Sequence, residues 1–200
     1  IMKKIGIIVR EFEENNKSFI GCRRDVLDVF LKYPVQIILI PIDLLWDQIL
    51  YLVQLCDGTV LTGGDHFVDN DFLLVQYLYK QDIPTLGICL GMQAMALSFG
   101  GYGEIKVGNN HYLKEHAIVI KKNSLLYSIL GVEQSVVNSR HKTGVQNTNL
   151  VVSARAFDGV IEAVEDKKKK FFLGLEWHPE SLVNKKSDLI FEAFIKSLMK

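Results

Sequence analysis

Cysteine is scarce in this chain: three in 200 residues, at positions 22, 56 and 89. So sparse and odd a set excludes a disulfide framework and leads to the expectation of a reducing, cytoplasmic setting. An excess of charge of either sign is missing too. The 23 basic and 23 acidic side chains cancel, so composition points to neither a nucleic-acid nor a membrane partner. The one charge block, residues 167–170, lies between two apolar runs and reads as a solvated hairpin tip. No apolar run approaches the roughly 18 residues of a membrane span. The opening run, residues 5–9, is too short for the apolar core of a secretory signal, and Ile1 ahead of Met2 reads as an appended residue. Repeats, low-complexity stretches and linkers are absent as well. With 48% hydrophobic and 23% charged residues, the chain has the composition of a soluble globular protein. A single domain over residues 1–200 is the expectation.

What is present is an alternation. Short β-branched runs at residues 5–9, 37–40, 58–61 and 85–88 read as strands buried on both faces of a parallel sheet. Helical periodicity fills residues 23–32, 71–80 and 92–99, the last stopped by Gly100-Gly101. The pattern predicts an α/β fold: a doubly wound, mostly parallel central sheet flanked by helices. The second half changes character. Runs at 117–120, 135–137, 150–154, 160–164 and 171–175 are separated by turns and predict antiparallel additions to one edge. A last amphipathic helix is expected over residues 187–199.

The chemistry concentrates at Gly87-Ile88-Cys89-Leu90-Gly91-Met92-Gln93. A cysteine on a tight strand-to-helix turn with glycines two residues to either side has the spacing of a nucleophile elbow. The helix N-terminus is expected to lower its pKa and enrich the thiolate, and the Leu90 amide points to where an oxyanion would form. Cys22 and Cys56 lack such a setting and read as small structural hydrophobes. A thiol nucleophile needs a base and a group that fixes the base's tautomer. His178 and Glu180 follow the run at 171–175, at the sheet edge where α/β proteins gather their sites. Their i, i+2 spacing projects both side chains the same way if the loop stays extended. His66, His111 and His116 compete less well. His141, after the run at 135–137, is a candidate lining residue and a weaker candidate base. No Cys/His spacing of a metal site is visible, and neither metal nor cofactor is expected.

In order along the chain stand Leu61-Thr62-Gly63-Gly64-Asp65, the Cys89 elbow, Val137-Asn138-Ser139-Arg140-His141 and Trp177-His178-Pro179-Glu180. Together they resemble the class I glutamine amidotransferase-like superfamily and, within it, the γ-glutamyl hydrolase (peptidase C26 type) group, over residues 5 to 181. The resemblance implies Cys89 as nucleophile, His178 as base and acid, and Glu180 as its orienter. It implies an oxyanion hole from the Gly64 and Leu90 amides, with Gly63, Gln93, Asn138 and Ser139 helping to hold a glutamyl group. The paired glycines also make sense alone, since absent side chains let amides approach a ligand. Where many relatives carry His-His-Gln after Asn-Ser-x, this chain reads Arg140-His141-Lys142-Thr143, and the loops 64–84 and 103–114 are short.

The leading expectation is a hydrolase releasing glutamate from a γ-glutamyl-linked small molecule through a γ-glutamyl thioester. The alternative is a glutaminase subunit supplying ammonia to a partner synthetase. A non-catalytic redox sensor or scaffold would not need the full Cys89, His178 and Glu180 set. A homodimer and a synthetase partner both stay open. Arg10, Arg140 and Lys142 all follow strands, and their convergence on the site mouth would suit an anionic leaving group such as a nucleotide phosphoramidate. The competing expectation is that these cations are solvated surface residues or pair with Glu11, Glu13 or Asp65.

Overall fold

The computed structural model describes residues 2–101, 104–107 and 111–199. Ile1 and parts of the short loop 103–114 lie outside the described residues. The elements run β1 (Lys3–Glu14), β2 (Lys17–Gly21), α1 (Arg24–Phe30), β3 (Val35–Pro41), α2 (Trp46–Gln54), β4 (Gly58–Leu61), α3 (Asp69–Lys80), β5 (Thr85–Ile88) and α4 (Leu90–Ser98). There follow β6 (Glu104–Lys106), β7 (Tyr112–Ile120), α5 (Leu125–Leu130), β8 (Gln134–Arg140), β9 (Thr143–Val145), β10 (Val151–Ala156), β11 (Ile161–Glu165), β12 (Phe172–Leu175), a 3-10 turn (Pro179–Ser181) and α6 (Lys185–Ser197).

Five strands, β3, β1, β4, β5 and β12, lie side by side and parallel. Beyond β12 the direction reverses, and β11, β10, β7 and β8 extend the sheet by antiparallel pairs. This is the expected α/β architecture with an antiparallel wing. One strand is placed differently from expectation. β12, predicted among the antiparallel edge additions, sits inside the sheet, parallel to β5 and antiparallel to β11. Burial on both faces is the physical reason. Phe172 packs with the helices on one side while Leu173 and Leu175 pack with those on the other.

The alternating side chains of β1 show the same division. Ile5, Ile7 and Val9 meet Val26 and Phe30 of α1 and Phe191 and Phe194 of α6. Ile8 meets Ile49 and Val53 of α2, Leu74 and Leu78 of α3, and Met92 and Met95 of α4. Phe30 anchors the first layer through edge-on contacts to Phe191 and Phe194, at 5.5 and 6.0 Å between ring centres.

β1 also outruns its predicted end near Arg10. It continues to Glu14 and folds back onto β2 through Asn15 and Asn16, both with positive φ (51° and 59°), as a tight hairpin turn requires. Residues 11–20 are all exposed, and only Phe12, Phe19 and Ile20 among them are apolar, so no apolar alternation announces them. Among the described residues, no helix is long and apolar enough to cross a membrane.

Helix α4 is pressed hard against β4. A Cβ added to Gly91 would lie 2.7 Å from the Leu61 Cβ and 2.8 Å from its carbonyl carbon. Gly91→Ala should therefore force the helix off the sheet and lower the unfolding free energy by about 1–3 kcal/mol, the usual cost of overpacking. Urea denaturation checks this, and an unchanged midpoint would contradict the packing.

Candidate active site

Parallel pairing of β5 with β12 sets Ile88 opposite Leu175, and the Cys89 amide donates to the Leu175 carbonyl at 2.7 Å. Cys89 and the segment leading to His178 thus leave neighbouring strands at the same end of the sheet. Cys89 holds φ 50° and ψ −110°, a conformation that costs a side-chain-bearing residue about 1–3 kcal/mol and persists only where packing enforces it. The flanking glycines supply that enforcement. A side chain at Gly87 would run into the Met95 sulfur, and one at Gly91 into the Leu61 carbonyl oxygen.

His178 is held from two directions. Its backbone N–H donates to the Asn138 Oδ1 at 3.0 Å, and the Asn138 Nδ2 donates back to the His178 carbonyl at 2.9 Å. Its ring Nδ1 lies 2.6 Å from the Glu180 Oε1, a contact that leaves Nε2 as the nitrogen available to another group. The loop is not extended as the i, i+2 argument supposed. Pro179 opens a 3-10 turn, and that turn brings Glu180 back under the ring. Gly63 occupies the gap between the two side chains. A Cβ there would sit 3.2 Å from the His178 Cε1 and 3.5 Å from the Cys89 Cβ.

The expected depression of the Cys89 pKa is not what the surroundings produce. Burial pushes the thiol well up, Glu176 adds to the push, the Leu90 amide opposes it, and Glu180 and Glu162 raise it further. The helix N-terminus is outweighed because Cys89 is 8% exposed and the nearby carboxylates oppose a second negative charge.

Gly64 and Leu90 come together: a Cβ on Gly64 would be 3.1 Å from the Leu90 Cδ2 and from the Arg10 Nε. The remaining sequence candidates are mostly committed to the fold. Gln93 is 2% exposed and donates from Nε2 to the Thr143 carbonyl at 3.0 Å and to the Glu176 Oε1 at 2.5 Å. Asn138 spends its amide on the His178 backbone, as above, and the Ser139 hydroxyl donates to the His111 carbonyl.

The three predicted cations do not converge as a free cluster. Arg10 is buried and donates from both terminal nitrogens to Asp71, at 3.0 and 2.5 Å. Its partner is thus Asp71, which lies 61 residues away in sequence. Lys142 lies over the Tyr112 ring at 4.5 Å. Of the three, Arg140 keeps a buried terminal nitrogen, Nη1, without a hydrogen bond. Partial burial opposes charge on neighbouring Asp25, but the Ser181 hydroxyl, Arg23 and the field of Arg140 hold its carboxyl below the usual range.

His141 is 4% exposed and belongs to a cluster that no short spacing in the sequence signals. Among the described residues, His111, His116, His141 and Glu162 place one potential ligand atom each within 4.8 Å of one another. They stand 5, 25 and 21 residues apart along the chain and meet only through the pairing of β7 with β8 and the return of β11. The absence of metal-ligand spacing therefore did not mean the absence of a metal-competent donor set. Burial works against charging His141, but Glu162 and Glu176 overcome it and raise its pKa to about 9. Burial likewise lifts the Glu176 carboxyl to about 8 against the pull of His141. Glu176 thereby links this cluster to Gln93, one turn along α4 from Cys89.

The family model of Peptidase C26 matches residues 69–180, more than half of the chain. Over 147 residues the chain is 32% identical to a glutamine-hydrolysing GMP synthase of Francisella philomiragia; the match covers 72% of this chain but only 28% of that protein. It is 30% identical to a separate subunit of the glutamine-hydrolysing GMP synthase of Methanothrix thermoacetophila, covering 70% of this chain and 76% of that protein. Among solved structures, a protein described as a GMP synthase subunit from Thermoplasma acidophilum superposes with a TM-score of 0.78 at 21% identity, over 100% of this chain and 95% of that one. That superposition reproduces the mixed α/β fold with its mostly parallel sheet. The chain belongs to the Peptidase C26 family of the class I glutamine amidotransferase-like superfamily, a family of enzymes acting on amide bonds.

Proposed function

We propose that this chain is a glutaminase: it hydrolyses the side-chain amide of glutamine at Cys89 and supplies the ammonia to a partner synthetase. The observation that carries the reading is the strained elbow of Cys89 across Gly63 from a histidine whose Nδ1 is fixed by Glu180. The relatives favour this reading over a stand-alone γ-glutamyl hydrolase, because those named above are glutamine-hydrolysing synthases or a separate subunit of one.

In the proposed reaction, the Cys89 thiol gives its proton to the His178 Nε2 as the sulfur attacks the amide carbon. The Gly64 and Leu90 amides donate to the resulting oxyanion, a contribution of about 3 kcal/mol per donor in comparable sites. His178 returns the proton to the departing nitrogen, the C–N bond breaks, and ammonia leaves a γ-glutamyl thioester. Water then attacks that carbonyl and gives a proton to His178, the C–S bond breaks, and glutamate departs with the thiol restored. Glu180 keeps the imidazole in the tautomer that can accept at Nε2 and stabilises it when charged. With the thiol held protonated at rest, thiolate forms only as His178 takes the proton.

Steady-state assays of glutamate release from glutamine and from a panel of γ-glutamyl amines test the assignment. Glutamine is expected to be the better substrate, with turnover raised by the synthetase. Efficient cleavage of a γ-glutamyl amine with glutamine ignored would instead establish the stand-alone hydrolase. Cys89→Ala should remove activity. Glu180→Gln should retain more activity than His178→Ala, by a factor on the order of 10–100 as in other triads. Equal losses would mean that Glu180 does more than orient the ring.

The resting state of the thiol is separately measurable. Because burial and three carboxylates oppose ionisation of Cys89, its alkylation by iodoacetamide, followed by peptide mass spectrometry, should keep accelerating about tenfold per pH unit through pH 9. A plateau beginning below pH 7 would show a preformed thiolate and contradict that electrostatic account.

A further inference from the structure

The cluster beside the elbow has the geometry of a metal centre. The His111 Nδ1 lies 3.2 Å from the His141 Nε2 and 3.4 Å from the Glu162 Oε1. The Glu162 Oε1 is in turn 3.2 Å from the His116 Nε2 and 3.6 Å from the His141 Nε2. Ligand atoms at the corners of a tetrahedron around zinc, each bonded at about 2.0–2.2 Å, stand about 3.3–3.6 Å apart. Four edges of the cluster match that figure closely, and the remaining two are no longer than 4.8 Å.

The outward nitrogens fix which atoms face the centre. The His111 Nε2 is 2.7 Å from the Asp158 Oδ2, so its hydrogen is directed to a carboxylate. The His141 Nδ1 is 2.9 Å from the Thr143 carbonyl, which can only accept. As a metal ligand each imidazole is neutral and carries one N–H; with that hydrogen turned outward, both rings present a lone pair to the centre, their inward nitrogens 3.2 Å apart. Beside them the Glu162 carboxylate is fully buried, and its Oε1 lies 3.2–3.6 Å from three imidazole nitrogens without a well-aligned N–H donor. Both nitrogens of His116 also lack a hydrogen-bond partner. A buried carboxylate held only by poorly aligned donors is costly, and one cation at the centre would satisfy all four inward atoms. Ligating histidines hold their second nitrogen by a carboxylate or a backbone carbonyl in this manner.

We propose that His111, His116, His141 and Glu162 form a closed site for one divalent transition cation, with zinc the best match to three imidazoles and a carboxylate. Four protein ligands leave no open position, so the cation has a structural role. It would fasten the ends of β7 and β8 to β11 across the short β10, and through His141 and Glu176 (3.2 Å apart) it would brace Gln93 near the elbow. This proposal is independent of the substrate assigned to Cys89.

Metal content of the untagged full chain, purified through chelator and then equilibrated with zinc, is the test. One zinc per chain should survive gel filtration, cobalt should give the intense visible bands of a tetrahedral ion, and chelation of the loaded protein should lower its melting temperature. Glu162→Gln and His116→Gln should each lose the bound ion. Less than about a tenth of an equivalent retained by the folded wild-type chain would overturn the site, leaving protons to hold the cluster together. A weak octahedral cobalt spectrum, or undiminished zinc in both folded variants, would overturn it as well. If either variant fails to fold, the stoichiometry and cobalt spectrum of the wild-type chain decide the question.

Discussion

The register between β5 and β12 is the constraint on which the rest of the site depends. With Ile88 opposite Leu175 and the Cys89 amide bonded to the Leu175 carbonyl, two segments far apart in the chain emerge as neighbours. A shift of one residue would exchange the faces of Phe172 and Leu173, which pack against opposite helical layers, so the core opposes any slip. The hydrophobic interior thereby fixes the approach of Cys89 to His178.

The elbow and the wing each add to that register. The positive φ of Cys89 is strained by itself and is imposed by α4 lying close on β4, where Gly91 and Gly87 leave no space for a side chain. The antiparallel wing supplies Asn138, whose side-chain amide clasps both backbone groups of His178. It also brings Glu162 near the thiol, where Glu176 at the end of β12 joins it; with burial, these carboxylates push the Cys89 pKa up in spite of the helix N-terminus. Under the proposed mechanism, the base beside that cysteine has to do what the helix end alone does not.

Much of this was legible in the sequence because it is carried by local signals. Gly87-Ile88-Cys89-Leu90-Gly91 announces an elbow by spacing, and short β-branched runs announce buried parallel strands. The central place of β12 was not legible, since a four-residue apolar run looks the same at an edge as inside a sheet. The β1–β2 hairpin is exposed on both strands, so its few apolar residues keep no alternation. The Arg10–Asp71 pair and the three-histidine cluster arise from contacts between separate elements of the fold, with no periodicity to connect them. Arg10 shows the consequence: its place after a strand suggested a ligand-binding cation, but a buried carboxylate on α3 takes up both its terminal nitrogens.

The central claim is covalent chemistry at Cys89, and the most direct measurement is mass spectrometry of the chain quenched in acid during turnover with glutamine. The account predicts a γ-glutamyl group, labile to hydroxylamine, on the peptide that carries Cys89. Release of glutamate with no acyl group on the chain, or with the group on Cys22 or Cys56, would contradict it.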